Sequence, residues 1–256
     1  IPEQKKRWLF ASIIIIAANS GGAWSPIGDV TTIMLWVKGN VTTTALITYV
    51  LLPSLVAMLI PLLIVSYRLK GSLPEDSRIV TRSDFISPKE KKAIFFLGVG
   101  GLIFVPIFKA ITHLPPFIGI LFVLSILWIF TEIMYNHKML EKAQEHRVPR
   151  VISHIDMPSI LFFLGILMAV AVLQSTGILG TAAEWLDREV HNIYVINILL
   201  GVLSSIVDNV PLVAAAMGMY PIADPGSTGY LAHFVVDGTF WEFLSYCAGV
   251  GGSILI

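Results

Sequence analysis

The chain has 256 residues, of which 55% are hydrophobic and 13% are charged, and its mean hydropathy is +0.80. A soluble domain carries about 25% charged residues, so this composition excludes an ordinary soluble domain and indicates an integral membrane protein. The formal net charge is zero, which gives no indication of nucleic-acid binding. The single cysteine, Cys247, excludes an internal disulfide and a cysteine metal cluster.

Residues 1–43 are predicted to form an apolar helix with a polar interruption. The apolar run 8–18 stops after 11 residues, which is about 16 Å of helix and roughly half of a bilayer core. A Gly-rich polar segment, 19–32, follows before the chain becomes apolar again. Irregular backbone at this depth requires a cavity or a protein environment, and secondary transporters build ion sites from such discontinuous helices.

Residues 44–134 are predicted to contain three spanning helices, at 44–67, 93–111 and 117–134. Pro53 and Pro61 interrupt the first of them and predict kinks.

Two polar loops, 68–92 and 135–156, carry most of the Lys and Arg residues. The positive-inside rule places both loops in the cytoplasm, and the two spans between them agree with this parity. The segment 157–192 then contains another span, 157–179, and an amphipathic linker helix that we expect in the outer membrane interface.

The segment 193–220 has two apolar arms separated by Asp208-Asn209-Val210-Pro211, and neither arm is long enough to span alone. It is either one kinked span or a re-entrant hairpin with Asp208 and Asn209 at its tip, and the short arms favour the hairpin. Residues 221–256 form a Gly- and Pro-rich loop and the start of a last span, which is predicted to break at 249–253.

Candidate ion ligands lie in these interruptions, because a sodium ion prefers hard oxygen ligands. The first interruption offers Asn19, Ser25, Asp29, Thr31 and Thr32, and the second offers Ser204, Ser205, Asp208 and Asn209. Asp29 and Thr32 are three residues apart, and Ser204 and Asp208 are four apart, so each pair is predicted to share a helix face.

Both aspartates also have a structural interpretation, because Asp is a favoured N-cap residue and Asp29 precedes a short predicted helix. Neither interruption contains Lys or Arg, however, and membrane-buried acids without a basic partner are usually functional. We therefore favour an ion-binding role for both. Hydroxyl groups at the remaining Ser and Thr positions bond back to their own helices as often as they bind ligands. Asp237 and Glu242 lie near a span entrance and are expected in the interface.

The segment 19–32 (NSGGAWSPIGDVTT) resembles the signature of NhaD-type sodium/proton antiporters. The segment 204–212 (SSIVDNVPL) resembles a second signature of that family, and 251–256 (GGSILI) resembles the opening of a third. The family belongs to the ion transporter superfamily, whose members have two inverted repeats, each with a re-entrant hairpin and a broken helix. The resemblance implies an all-α, multi-span helical transporter with the broken helix of repeat one at 1–43 and repeat two ending in 193–256.

The resemblance also implies the ligands and partners. It assigns the ion site to Asn19, Asp29, Thr31, Thr32, Ser204, Asp208 and Asn209, with Ser253 in the third segment. Na⁺ is expected at Asp29, Asn19, Asp208 and Asn209. The family implies transport of Na⁺ or Li⁺ and H⁺ without a cofactor, in a homodimer embedded in the lipid bilayer of the inner (plasma) membrane. Because the sequence starts without Met and ends in an apolar run, we expect a fragment whose missing upstream part holds the hairpin of repeat one.

These features lead to the hypothesis that cytoplasmic Na⁺ or Li⁺ is exchanged for external H⁺. The cation and the proton compete for the same carboxylate oxygens, for which Asp29 is the first candidate and Asp208 the second. The alternative is a carboxylate or oxyanion (arsenite-like) transporter with the same fold. An anion needs positive charge or bare helix N-termini, and Asp in both interruptions argues against it. A membrane enzyme would need a nucleophile, metal or cofactor motif, and the sequence shows none.

Overall fold

The structure is a computed structural model that describes residues 4–69, 87–136 and 148–254. All regular secondary structure in these ranges is helical, which confirms the predicted all-α class. The chain divides into two compact units: Ile1–Leu73 together with Leu161–Ile256, and Pro74–Ile160.

The first broken helix is interrupted over a shorter stretch than the sequence indicated. α1 (Gln4–Ala23) continues through Asn19 and the two glycines, and α2 (Val30–Lys38) begins directly after Asp29. Pro26 has no backbone N–H and disfavours helical geometry in the residue before it, so the helix ends ahead of it. The predicted start of the interruption at residue 19 is therefore wrong, and Asn19 lies in the last turns of α1.

Four helices in the described ranges are long and apolar enough to cross a membrane, which confirms the predicted multi-span architecture. They are α3 (Thr43–Arg68), α4 (Pro88–Thr112), α5 (Pro116–Asn136) and α7 (Met157–Ser175), with the short α6 (Val148–Ile152) preceding α7. α6 lies within a range that the sequence predicted to be a polar loop. α7 ends before the predicted residue 179, because Gly177 adopts a left-handed conformation (φ 78°) and starts a new helix.

In the unit Pro74–Ile160, α4 and α5 form a helical hairpin. His113 adopts a left-handed conformation (φ 57°) and ends α4, which lets the chain reverse before Pro116. Phe104 and Phe122 stack across the two helices with ring centroids 6.1 Å apart.

A π-helical turn, Leu46–Val50, lies near the start of α3. The helix continues through both Pro53 and Pro61. Pro53 cannot donate to the carbonyl of Tyr49, and its ring crowds that carbonyl, so a wider turn just before it relieves the contact.

The segment after α7 contains α8 (Ile178–Glu189), α9 (Ile193–Ser204) and α10 (Asn209–Met219). α8 corresponds to the predicted amphipathic linker.

Ring contacts decide between a kinked span and a re-entrant hairpin for α9 and α10. Tyr194 at the start of α9 contacts Phe243 (5.7 Å between ring centroids), and Tyr220 after α10 contacts Phe240 (4.9 Å). Both contacts are made to the first turns of α11 (Thr239–Gly251). A continuous kinked span would separate its two ends by roughly 40 Å. The chain therefore reverses at residues 205–208, and α9 and α10 form a helical hairpin.

α11 forms the core of its unit against α9 and α1. Phe240, Trp241 and Leu244 are completely buried. α9 and α11 approach so closely that a methyl group on Gly251 would lie 2.2 Å from the carbonyl oxygen of Gly201. The two glycines thus permit backbone contact between these helices.

α11 runs antiparallel to α1. Asn19, one turn before the end of α1, contacts Ser253 after the end of α11. Ala23, the last residue of α1, contacts Ser245 in the middle of α11, so the contacts run backwards along α11 as α1 runs forwards. α11 ends at Gly251, later than the predicted break at residue 249.

Candidate functional site

Asp29 is the N-cap of α2. Its Oδ1 accepts a hydrogen bond from the backbone N–H of Val30 (2.8 Å), and its Oδ2 accepts one from the hydroxyl of Thr31. The capping role that the sequence left open is therefore present in the structure. It does not conflict with ion binding, because a carboxylate can accept several donors or ligands at once.

Thr32 does not join Asp29, although the spacing predicted that the two would share a face. Its hydroxyl instead lies 3.2 Å from the hydroxyl of Ser245 on α11, and both side chains are completely buried. Ser245 also donates to the carbonyl of Ala23 (2.9 Å), one of the backbone groups freed where α1 ends. The hydroxyls thus connect the first interruption to α11.

The two predicted asparagines converge on the break of α11. Asn19 Nδ2 donates to Ser253 Oγ (3.3 Å), and a methyl group on Gly252 would lie 3.5 Å from that same Nδ2. The same methyl group would lie 3.0 Å from Asn209 Oδ1 at the hairpin tip. Gly252 therefore marks the point where α1, α10 and the end of α11 meet, and it leaves room for both amides.

Ser204 belongs to this meeting point. Its hydroxyl lies within hydrogen-bond distance of Asn209 Oδ1 (3.1 Å) and of the carbonyl of Ala248 (2.9 Å). We call Asn19, Asn209, Ser204 and Ser253 the amide–hydroxyl cluster.

Besides Asp29, Thr31 and Thr32, three more predicted ligands make their hydrogen bonds outside this cluster. Asp208 is exposed and caps α10, accepting from the N–H of Val210 (3.0 Å). Ser205 donates to the carbonyl of Val202 (2.6 Å), so it bonds back to its own helix. Ser25 closes the turn after α1 through its backbone, with its carbonyl accepting from the N–H of Gly28 (3.0 Å).

The arrangement suits a monovalent cation better than a transition metal. Within the described ranges, no three His, Cys, Asp or Glu side chains are close enough to hold a metal ion together. The groups that converge are the amides and hydroxyls of the amide–hydroxyl cluster, which offer hard, neutral oxygen ligands, whereas the carboxylate of Asp29 makes its hydrogen bonds at the start of α2.

A family model described as CitMHS, citrate transporter, matches residues 3–235. The chain belongs to this transporter family. It is 42% identical over 257 residues to "Sodium/proton antiporter 1" of Arabidopsis thaliana. The matched region is 100% of the chain and 42% of that protein.

Bacterial relatives agree with the plant ones. The chain is 32% identical over 263 residues to "Na(+)/H(+) antiporter NhaD" of Vibrio cholerae, covering 94% of the chain and 51% of the relative. No solved structure matches the chain. The chain spans about half the length of the curated relatives it matches, between 42% and 59% for the first three.

These matches confirm the predicted resemblance to NhaD-type antiporters and the prediction of a transporter rather than an enzyme. Together with the four apolar helices, they show a multi-pass membrane protein.

Sequence reasoning missed Ser245. The structure places it on α11 opposite Thr32, where its hydroxyl connects α11 to α2. The spacing of the sequence could have indicated this residue. Ser245, Gly249 and Gly252 follow one another at intervals of four and three residues, so Ser245 lies on the same helix face as the two glycines.

Several polar contacts lie at one end of the unit that contains α8 to α11. The positive-inside rule predicts that this end faces the outside of the membrane. Asp187 of α8 accepts hydrogen bonds from the hydroxyls of Tyr220 (3.1 Å) and Tyr230 (2.8 Å). Burial, followed by the hydrogen bond to Asp187 and its negative charge, raises the pKa of Tyr230 well above its usual range. The hydroxyl therefore stays protonated and continues to donate.

A second contact at this end joins the loop before α11 to the loop before α3. Asp237 accepts from the backbone N–H of Thr42 and from its hydroxyl (2.9 Å), and its own N–H donates to the carbonyl of Asn40 (2.9 Å). The loop after α2 and the loop before α11 thus lie against each other.

Proposed function

We propose that the full-length protein exchanges Na⁺ or Li⁺ for H⁺ across the membrane, most simply the plasma membrane, and that it needs no cofactor. The observation that carries the proposal is the convergence of Asn19, Asn209 and Ser253 around Gly252, one helical turn from the end of α1. Relatives named sodium/proton antiporters support the choice of ions.

In this proposal, Asp29 carries the charge that the cation and the proton share. Its two oxygens accept hydrogen bonds from Val30 and Thr31 at the N-terminus of α2, where negative charge is favoured. A bound Na⁺ would take ligands from this carboxylate and from neutral oxygens nearby. A proton on the same carboxylate removes its charge and weakens the attraction for Na⁺, so the two exclude each other.

Asp208 takes the second place. It is exposed at the hairpin tip next to Asn209, and it has the same position relative to α10 as Asp29 has to α2. We propose that it attracts the cation toward the amide–hydroxyl cluster, and that exchange follows when the cluster becomes accessible from the opposite side of the membrane.

The test is Na⁺-induced collapse of a pH gradient in everted membrane vesicles that contain the full-length protein. Asp29→Asn keeps the size of the side chain and removes its charge, and we expect it to abolish exchange. Glu189→Gln, an exposed acid on α8, is the matched control and should retain exchange. Normal exchange by Asp29→Asn would refute the proposal.

The description of the family as citrate transporters favours a second candidate, a carboxylate transporter. An anion would bind to the free N–H groups at the starts of α2 and α10. Those two helix starts are instead capped by Asp29 and Asp208, which would repel an anion. Uptake measured with citrate and with Na⁺ alone separates the two candidates, and we expect no citrate-dependent transport.

The predicted homodimer remains a proposal from the resemblance. Crosslinking of the full-length protein in its native membrane tests it, and a single crosslinked species at twice the protomer mass is the expected result.

A further inference from the structure

A cavity of about 250 Å³ lies between α3, α9 and the first turns of α11, away from the amide–hydroxyl cluster. Most of its lining side chains are aromatic or aliphatic, and one carboxyl group, that of Glu242, is among them. The lining residues are Tyr49, Val50, Pro53, Tyr194, Thr239, Glu242, Phe243 and Tyr246. Two of them, Tyr49 and Val50, belong to the π-helical turn of α3, an irregularity that is frequent at functional sites.

One carboxylate oxygen of Glu242, Oε1, is completely buried and has no hydrogen-bond partner in the described part of the chain. The sequence predicted this residue to lie in the membrane interface, where a carboxylate is solvated. A buried polar atom without a partner is rare in a native protein, and an apolar residue would fill the same space at a lower cost. The carboxyl group therefore calls for a functional explanation.

In the part of the chain that the structure describes, no basic side chain lines the cavity beside Glu242. Among the residues lining the cavity there is no Lys or Arg, and the ionisable groups facing it are Tyr49 from α3, Tyr194 from α9 and Tyr246 from α11. The nearest acid is Asp237, in the loop before α11, and Thr42 occupies its oxygens. A basic partner or free water would hold a carboxyl group in its ionised form, and an apolar wall does not.

The position of Glu242 connects it to the proposed ion site. It lies three residues before Ser245, so the two side chains share a face of α11 and are about 4.5 Å apart along its axis. Ser245 in turn contacts Thr32 and the end of α1. Glu242 therefore lies between the loops predicted to be outside the membrane and the buried contact of Ser245 with Thr32.

We propose that Glu242 is a proton-binding group on the outer side of the transport site, separate from the carboxylate that binds the cation. It takes one proton from external water and releases one proton on the side of Ser245, so it consumes nothing else. The cavity admits the proton donor, and its apolar walls, without a basic residue, keep the carboxyl group able to accept. This proposal rests on the proposed cation/proton exchange.

The first experiment does not depend on transport. Dicyclohexylcarbodiimide reacts with protonated carboxyl groups in apolar surroundings, and the adduct is located by mass spectrometry on the full-length protein in membranes. We expect an adduct on Glu242 at pH 6.5 that declines by at least fivefold at pH 9.5, and that 100 mM Na⁺ does not prevent. Absence of the adduct at both pH values, or full protection by Na⁺, would overturn the proposal.

The second experiment measures exchange as a function of external pH. Glu242→Gln should lower the rate at least fivefold where external protons are scarce, and less at acidic pH, while the KM for Na⁺ changes less than twofold. Glu242→Asp should recover part of the rate. Glu184→Gln, an acid on α8 with solvent access, is the matched control and should leave the profile unchanged. A Glu242→Gln profile identical in shape to that of the wild type would overturn the proposal.

The two experiments separate this inference from the proposed function. If the wild-type protein does not exchange Na⁺ for H⁺ at all, the proposed function fails, and carbodiimide labelling still reports on Glu242. If exchange is normal and Glu242 is neither labelled nor needed for the pH profile, only the inference about Glu242 fails.

Discussion

Replacing Gly252 by alanine tests whether the meeting point of α1, α10 and α11 forms the ion site. The added methyl group would lie 3.0 Å from Asn209 Oδ1, whereas ordinary van der Waals contact begins near 3.4 Å, so the amide must retreat by a few tenths of an ångström. Asn209 Oδ1 now accepts from Ser204 at 3.1 Å, and this shift brings the hydrogen bond close to its limit of about 3.5 Å.

Loss of one neutral hydrogen bond is worth about 1 kcal/mol, which corresponds to roughly fivefold in binding. We therefore expect Gly252→Ala to raise the KM for Na⁺ roughly fivefold in everted vesicles while the protein remains folded in detergent. Gly165→Ala on α7 is the matched control, because a methyl group there meets no atom within 4 Å. An unchanged KM in Gly252→Ala would show that the amides near Gly252 do not bind the cation.

Three further changes probe the surrounding structure. Gly251→Ala should lower the melting temperature by several degrees or prevent folding, because its methyl group would meet the backbone carbonyl of Gly201 at 2.2 Å and overpacking costs about 1–3 kcal/mol; an unchanged thermal scan would contradict the close helix contact. Ser245→Ala removes a buried hydrogen bond to the carbonyl of Ala23 and leaves the hydroxyl of Thr32 with only two long contacts, to the carbonyls of Gly22 and Ala23 (3.4 Å each), so we expect a cost of about 1–2 kcal/mol and lower thermal stability and exchange; normal values for both would show that Ser245 is not part of the site. Tyr230→Phe should lower the melting temperature by a similar amount at pH 6 and pH 9, because the raised folded-state pKa keeps the stabilising hydrogen bond to Asp187 intact up to about pH 10. The difference from the wild type should shrink only at higher pH, as the tyrosine loses its proton, and a difference that already shrinks at pH 8 would contradict the raised pKa.

The spans and the approximate positions of the breaks could be predicted from hydropathy, because a run of apolar residues long enough to cross a bilayer has few alternatives to a helix. Their exact ends could not. Asn19 was predicted to lie in irregular backbone and lies instead in α1, because a helix can continue through glycine and asparagine until a residue such as Pro26 prevents it.

Spacing along the chain also misjudged the partner of Thr32. It was paired with Asp29 because the two are three residues apart, but Asp29 lies before the first turn of α2 as its cap, so the helical spacing does not apply to it. The true partner, Ser245, is more than 200 residues away, and nothing local predicts such a contact.

The sequence by itself determined that this protein crosses the membrane, that its transport helices are broken, and that Asp, Asn, Ser and Thr occupy the breaks, because these follow from hydropathy, proline and glycine positions and residue chemistry. Only the tertiary structure decided that the chain reverses between α9 and α10 and that Asn19 and Asn209 meet at Gly252. It also decided that Glu242 lines a largely apolar cavity and that one of its oxygens is buried. Convergence of this kind depends on how helices cross, and helix crossing is set by close packing between distant segments, such as the glycine contact of α9 with α11.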